Sequence, residues 1–230
     1  MDSEPSTLTF RKIIAYTLPM AVFVSLLTVN GLMQNGVGPF GLSSCQYWIY
    51  PIQTILCGAL LFWFWDEYEL RAPRRAIFAI GLGLFVFVIW IAPQQFLGFA
   101  PRLVGFDPEV FNGRPPLFWA NLGARFLRLA VVVPLIEEIF WRGFLLRYLI
   151  KERFTSVTIG TFSWLSFWVV TLAFGFSHSR ADWVAALITG ALYNVVAYRT
   201  RSLSSCVISH ALTNLLLGLW IMATRQWGFW

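Results

Sequence analysis

The chain has 230 residues, of which 58% are hydrophobic and 12% are charged, whereas an ordinary soluble domain has about 25% charged residues. Burying that much apolar surface inside one globule of 26.3 kDa would leave too little polar surface to face water. The composition therefore argues against a soluble enzyme, a disordered segment and a nucleic-acid-binding domain. The net charge is +6, but the basic residues stand singly or in short groups between long apolar runs, which is typical of a membrane protein.

Seven apolar segments along the chain have about the length of a membrane-spanning helix, which takes ~20 residues. They predict an all-α, polytopic transmembrane helix bundle with about seven spans. The longest connection, Gln94–Leu117, contains four prolines. It could cover one face of the bundle, or hold a further segment that would make eight spans. The seven segments are Ile13–Met33, Tyr47–Trp65, Ala76–Pro93, Phe118–Ile150, Ile159–His178, Trp183–Tyr198 and Leu203–Ala223.

The basic residues of the connections indicate an orientation. If the N-terminus is cytoplasmic and seven spans follow, the inner connections carry ten Lys and Arg residues and the outer ones carry four. Because basic residues are enriched in cytoplasmic loops, this distribution favours the N-terminus inside and the C-terminus outside. We therefore expect an integral, multi-pass membrane protein, in the plasma membrane if the source is bacterial.

The sixth segment contains a pattern of small residues. Ala186, Gly190 and Asn194 are spaced four apart, and small residues at this spacing let helices approach each other closely in lipid. We interpret the pattern as a packing face with no chemistry implied. Asn194 is the one member that could also reach a polar site.

Two carboxylates and both histidines of the chain lie in apolar segments or at their ends. Glu137 and Glu138 are adjacent and deep in the fourth segment, His178 closes the fifth, and His210 lies within the seventh. A charged side chain at mid-bilayer costs about 2.5–3.5 kcal/mol on insertion scales, so such residues are expected to face the bundle interior and to be functional. These four residues are the candidates for one polar site.

Helical spacing separates the two glutamates. Glu138 and Arg142 are four residues apart and share a helix face, where a carboxylate–guanidinium pair would offset much of the desolvation of both groups. Glu137 points ~100° away and is free to face a cavity. On this interpretation Glu138 holds structure and Glu137 does chemistry. The alternative is a structural ion cluster of both glutamates with Arg125, Arg128 and Arg142.

His210 and Asn214 are also four residues apart, on one face of the seventh segment. An imidazole and an amide on one face could jointly donate hydrogen bonds to a developing oxyanion. With the helical rise, Glu137, His178 and His210 lie ~20, ~28 and ~10 Å along the helix from the inner ends of their segments. Tilt, and an interfacial tail of the fourth segment, could bring these levels together. The spacing therefore permits a single site without demonstrating it.

Three motifs in this order resemble the CPBP family, which holds the CAAX prenyl proteases of the Ras-converting-enzyme type and the bacteriocin-processing or immunity proteins called Abi. Each motif is weak alone, but all three lie in apolar segments or at their ends, and together they are a strong signal. The resemblance covers roughly Phe118–Trp220. It divides the chain into N-terminal transmembrane helices with their connecting loop (1–117) and a CPBP-like catalytic helical core (118–230). The motifs are Glu137-Glu138-x-x-x-Arg142, Phe174-x-x-x-His178 and His210-x-x-x-Asn214.

The resemblance implies an intramembrane endopeptidase that cleaves a membrane-anchored or lipidated peptide near its C-terminus. A carboxylate in a low-dielectric site gains proton affinity, which suits general-base chemistry near neutral pH. The residues to which the resemblance assigns a role are Glu137 as general base, His178 as water-positioning group or acid, His210 and Asn214 as oxyanion donors, and Glu138 and Arg142 as supporting groups.

No cofactor is favoured, although the resemblance leaves the involvement of a metal open. Glu137, His178 and His210 would match a catalytic zinc site of two histidines and one glutamate. Members of the family are described both as metalloproteases and as glutamate-dependent enzymes without metal. We favour the metal-free mechanism.

Two other classes of function compete with the protease. One is a non-catalytic membrane protein, such as an immunity, scaffold or sorting-associated factor, and the other is a small transporter with a proton relay. A relay would string ionisable residues along a path, whereas the apolar segments that carry these motifs hold no carboxylate besides Glu137 and Glu138. All the motif residues are intact, which a decayed enzyme need not have kept. The expected partners are membrane lipid and a membrane-anchored peptide or protein substrate, with no nucleic acid.

Overall fold

The chain folds as helices joined by short connections. The computed structural model describes the backbone of residues 4–34 and 45–230, and the side chains of residues 10–33 and 45–230. The structure is 79% helical, and the described residues contain no β-strand. The predicted all-α class is therefore confirmed.

Seven helices of more than ten residues are found in the described residues. The fourth is a run of consecutive α-helical and π-helical stretches without a break, from Pro115–Leu127 to Leu146–Tyr148. The three longest of the others, α1, α3 and α7, exceed 20 residues. The helices are α1 (Glu4–Gln34), α2 (Gln46–Trp63), α3 (Ala76–Phe96), α4 (115–148), α5 (Trp164–Phe176), α6 (Trp183–Thr200) and α7 (Leu203–Thr224).

Five of the seven predicted segments begin within three residues of these helices. The first segment was expected from Ile13, but α1 begins at Glu4. The fifth segment was expected from Ile159, but α5 begins at Trp164. Gly160 explains the delay, because its φ of +76° is left-handed and a Cβ there would lie 2.1 Å from the carbonyl oxygen of Ala197. The same helix ends at Phe176, so His178 lies in the connection after α5 and does not close a helix as expected.

Four helical segments are long and apolar enough to cross a membrane by length and composition. Large apolar side chains on the outside of the bundle are strongly exposed, including Phe62, Ile77 and Val184 at 84%, 88% and 74%. Exposed apolar surface of this extent is typical of a face that contacts lipid. The four segments are Phe10–Met33, Ala76–Phe96, Arg180–Thr200 and Leu203–Thr224.

Helices α4 and α7 form the centre of the bundle. α4 packs against α1, α2 and α7, and α7 also packs against α3 and α6. The predicted packing face of α6 is confirmed, since Ala186 and Asn194 are fully buried and Gly190 lies against Thr171 and Phe174 of α5. The two central helices carry both glutamates and His210, so the fold brings the predicted polar residues to its interior.

The helix connections meet at two opposite ends of the bundle. At the first, Glu67 pairs with Arg11 and Glu69 pairs with Arg147, each at 2.8 Å. We call this the basic end; it comprises residues 64–75, 149–163 and 201–202 with the beginning of α1. Its connections are those that join α2 to α3, α4 to α5 and α6 to α7.

At the opposite end, the long connection between α3 and α4 covers the bundle as expected. Arg102 pairs with Asp182, and the amide of Gly228 donates to the carbonyl of Arg102 at 2.9 Å. Phe106 is buried and stacks on Trp230, with ring centroids 5.6 Å apart. Within residues 97–114 the only helical element is the short 3-10 turn Pro108–Phe111.

Candidate active site

The two glutamates lie between two π-helical stretches of α4, Arg128–Val132 and Ile139–Leu145. Each π stretch adds a residue to the helical turn, and such turns occur frequently at functional sites. The sequence contains one signal for the first stretch. Pro134 has no amide hydrogen to donate to the carbonyl of residue 130. That carbonyl can instead accept from a residue further along the chain, which favours the wider π turn. Sequence reasoning that assumes a regular α-helix does not find these turns.

Glu138 connects α4 to α7 through a single oxygen. Its Oε1 accepts a hydrogen bond from Nη1 of Arg142 at 3.0 Å and lies 2.8 Å from Nδ1 of His210. Both Glu138 and Arg142 have 0% exposed side chains. The sequence predicted the pair with Arg142 from spacing along one helix, but not the contact with His210, which crosses between helices.

Arg142 extends this network to α6. Its Nε donates to Oδ1 of Asn194 at 3.1 Å, and its Nη2 donates to the carbonyl of Gly190 at 3.0 Å. Asn194 in turn donates to Oγ1 of Thr171 on α5 at 3.1 Å. We call Glu138, Arg142, Asn194 and Thr171 the buried network. Because the guanidinium is satisfied on three sides, the network fixes the carboxylate of Glu138 in one position.

Glu137 has a different environment from its neighbour. It is half-buried, and among the described residues it has no ion pair or hydrogen bond. Its Oε2 is buried and without a partner, and so is Oε2 of Glu138, but Glu137 has no partner on its other oxygen either within the described residues. An unpartnered buried carboxylate oxygen is costly in a stable fold, so it points to a group that binds something else, such as water or a reactant. This agrees with the expected division between the two glutamates.

Both histidines use the same ring nitrogen to hold their orientation. Nδ1 of His178 lies 2.8 Å from the carbonyl oxygen of Phe174, and Nδ1 of His210 lies 2.8 Å from Glu138. In each case an acceptor oxygen fixes the proton on Nδ1 and leaves Nε2 for a reacting group. The Phe174 ring packs against both imidazoles, with centroids 4.9 Å from His178 and 6.4 Å from His210.

Asn214, the fourth residue predicted to be catalytic, uses its side chain to join two helices. Its Nδ2 donates to the carbonyl of Leu129 at 3.0 Å, within the first π stretch of α4. This bond fastens α7 to α4 and occupies one of the two amide hydrogens of the side chain. Only the second hydrogen is left to stabilise an oxyanion.

Arg125 and Arg128 are buried on α4, and neither forms an ion pair with a glutamate within the described part of the chain, so only the Glu138–Arg142 pair of the alternative ion cluster is present. The Arg125 guanidinium lies 4.4 Å from the ring centroid of Tyr50, and the Arg128 guanidinium lies 4.7 Å from the same ring. Nε of Arg128 also donates to Oε1 of Gln53 at 2.7 Å. Aromatic faces and an amide are therefore the direct contacts that stabilise these two cations.

Glu137, His178 and His210 are the residues that would have to come together to form the zinc site considered from the sequence. Among residues 10–33 and 45–230, no three His, Cys, Asp or Glu side chains form a group that could hold a metal ion. Glu137, His178 and His210 are thus not preassembled as a three-ligand zinc site.

A comparison with protein families agrees with the geometry. Residues 119–216 match the family described as type II CAAX prenyl endopeptidase Rce1-like. We call residues 119–216 the Rce1-like segment. The Rce1-like segment begins in α4, ends in α7, and contains all the predicted site residues together with Asn194 and Thr171. A search of curated proteins found no match, and neither did a search of solved structures.

Proposed function

We propose that the chain is an intramembrane endopeptidase that hydrolyses a membrane-anchored or lipidated peptide near its C-terminus. The Rce1-like segment supports a protease of the CAAX type. The observation that carries the proposal is the pair of adjacent glutamates in unlike environments. Oε1 of Glu138 is fixed by Arg142 and His210, whereas neither oxygen of Glu137 has a hydrogen bond or an ion pair among the described residues.

In the proposed reaction, Glu137 acts as the general base. Its carboxylate accepts a proton from water while the water oxygen attacks the carbonyl carbon of the scissile peptide bond. Nε2 of His178 helps to position that water. His210, as an imidazolium whose Nδ1–H is held by Glu138, donates from Nε2 to the carbonyl oxygen, and the second amide hydrogen of Asn214 donates to the same oxygen as it gains negative charge. The proton on Glu137 then passes to the leaving nitrogen as the C–N bond breaks.

Glu138 and Arg142 act through His210 and do not touch the substrate. The carboxylate of Glu138 holds Nδ1 of His210 at 2.8 Å, and this contact orients the imidazole. The low dielectric of the interior strengthens such charge-assisted contacts. These two residues are therefore positioning residues.

We also propose that all seven helices cross the membrane, with the basic end in the cytoplasm. The grouping of alternate connections at opposite ends of the bundle supports this topology, because it requires each helix to traverse the bundle. α4 carries several buried charges and α5 has only 13 residues, yet both are interior to the bundle or pack against it. The protein is then a multi-pass integral membrane protein with lipid as a partner.

The proposal is tested with the purified full chain in lipid nanodiscs and a set of lipidated or membrane-anchored C-terminal peptides. Products are identified by mass spectrometry. Removing the general base in Glu137→Gln should lower kcat by about 100- to 10,000-fold. Glu152→Gln, at an exposed carboxylate of the basic end, is the matched control and should keep wild-type activity.

Two further outcomes are decisive. Peptide cleavage that survives both Glu137→Gln and His210→Ala would disprove the assigned site. Treatment with a chelator should leave the activity unchanged, and stoichiometric zinc in active purified protein would overturn the metal-free mechanism.

A further inference from the structure

A cavity of about 290 Å³ lies at the basic end of the bundle, lined by residues of all three connections there. This volume is close to the lower end of the ~300–1,000 Å³ range of small-ligand pockets. The cavity is formed by residues 69–74 before α3, by residues 155–159 before α5 and by residues 201–203 at the beginning of α7. None of the residues assigned to the catalytic site lines it.

The first wall of the cavity is formed by residues 69–74, and serine side chains at the beginning of α7 hold it in place. Oγ of Ser204 donates to the carbonyl of Arg71 at 2.5 Å. Oγ of Ser205 accepts from the amide of Arg74 at 2.9 Å and donates to its carbonyl at 2.7 Å. The backbone of this wall is therefore fixed, while the two arginine side chains stay available.

The second wall of the cavity is formed by residues 155–159, and buried contacts hold it in position. Nε of Arg147 donates to the carbonyl of Phe154 at 3.1 Å, just before the lining residues Thr155 and Ser156. Gly160 lies directly against the end of α6, as its close approach to Ala197 requires. The cavity is thus bounded by segments that the fold keeps in position.

The lining carries an excess of positive charge. Arg71, Arg74 and Arg201 are exposed, and none of them has an ion pair within the described part of the chain. The single lining carboxylate, Glu69, is already neutralised by Arg147 at 2.8 Å. The hydroxyl groups of Thr155, Ser156, Thr158 and Ser202 complete a lining rich in hydrogen-bonding groups.

We propose that this cavity is a binding site for a phosphate-bearing anion, either the headgroup of an anionic phospholipid or a free phosphate. Guanidinium groups match phosphate oxygens in geometry and charge. Basic pockets between transmembrane helices on the cytoplasmic side are suited to anionic lipid headgroups. The site is separate from the glutamates, so it does not depend on the proposed protease activity.

The test uses native mass spectrometry of the full chain in detergent with equimolar phosphatidylglycerol and phosphatidylcholine. The wild type should retain phosphatidylglycerol in preference to phosphatidylcholine. The triple variant Arg71→Gln, Arg74→Gln, Arg201→Gln should lower the retained phosphatidylglycerol about tenfold or more, because each basic residue near an anionic surface contributes roughly a factor of five.

A charge-matched control removes three other arginines from the same end of the bundle. Arg75, Arg153 and Arg199 are exposed and do not line the cavity, so their triple change to Gln should leave lipid retention at the wild-type level. Equal losses in the two triple variants would overturn the proposal, since they would reflect net charge alone. Both variants should unfold at the wild-type temperature, which separates binding from folding.

Inorganic phosphate distinguishes the two sources of the anion. Displacement of phosphatidylglycerol by phosphate would assign the cavity to a free phosphate group. Retention of the lipid in excess phosphate would assign it to the headgroup. The site would be disproved if the wild type neither retained phosphatidylglycerol in preference to phosphatidylcholine nor bound phosphate.

Discussion

Adjacent residues of one helix have opposite environments in this protein. Glu138 is fully buried and accepts from Arg142 while contacting His210. Glu137 is half-buried and has no hydrogen bond among the described residues. The ~100° rotation between consecutive helical residues is enough to separate a carboxylate that stabilises the bundle from one that is free to react.

Removing either carboxylate should therefore have a different effect on stability. Glu138→Ala leaves Arg142 as an uncompensated buried charge, and breaking a buried pair in this way costs about 3–5 kcal/mol. Glu137→Ala removes no bond and should change the free energy of unfolding by less than about 1 kcal/mol. Thermal unfolding in one detergent measures both. Equal destabilisation by the two changes would contradict the division between them.

At the scale of the elements, the site depends on how closely α3 approaches α7. A Cβ added to Gly83 would lie 2.6 Å from the carbonyl oxygen of Ser209, the residue before His210. Oγ1 of Thr213 donates to the carbonyl of Gly83 at 2.8 Å. The glycine therefore allows α7 to lie at the depth at which His210 reaches Glu138.

Gly83→Ala should force the two helices apart. We expect a loss of about 1–3 kcal/mol of stability, as for other overpacked interiors, together with a lower kcat because His210 moves away from Glu138. Gly81→Ala is the matched control, since a Cβ there meets nothing within 4 Å. The unfolding temperature and the cleavage rate of both variants are measured together. A stable, fully active Gly83→Ala protein would show that the close approach is not required.

At the scale of the whole molecule, the two ends of the bundle differ in their content of basic residues. The basic end carries most of the arginines and lysines of the connections, and the opposite end is closed by the contacts of Arg102 with Asp182 and with the C-terminal residues. Because basic loops are enriched on the cytoplasmic side, this distribution of charge supports the orientation that we propose.

Reporter fusions measure this orientation directly. A reporter that is active only outside the cytoplasm should be active when fused after Trp230 and inactive when fused after Arg153 in the α4–α5 connection. With seven spans and the N-terminus inside, the two positions lie on opposite sides of the membrane. Activity at Arg153 alone, or at both positions, would contradict the proposed topology.

The sequence by itself determined the class of the fold, and it supplied the residues that we propose for the site. Long apolar runs can only become helices in lipid, because every backbone polar group must be satisfied within the segment. Placing an ionisable side chain in such a run costs free energy. This cost is why Glu137, Glu138, His178 and His210 could be identified from the sequence as one set of candidates. Spacing along a single helix also predicted the Glu138–Arg142 pair, because residues four apart are always neighbours.

Only the tertiary structure decided which groups meet across helices. The contact of His210 with Glu138, the bond of Asn214 to Leu129 and the bonds of Asn194 to Arg142 and Thr171 all join different helices. Such contacts depend on the rotation, depth and crossing of two helices, which are set by packing over the whole bundle and by π turns that alter the helical period. No spacing within one segment encodes them.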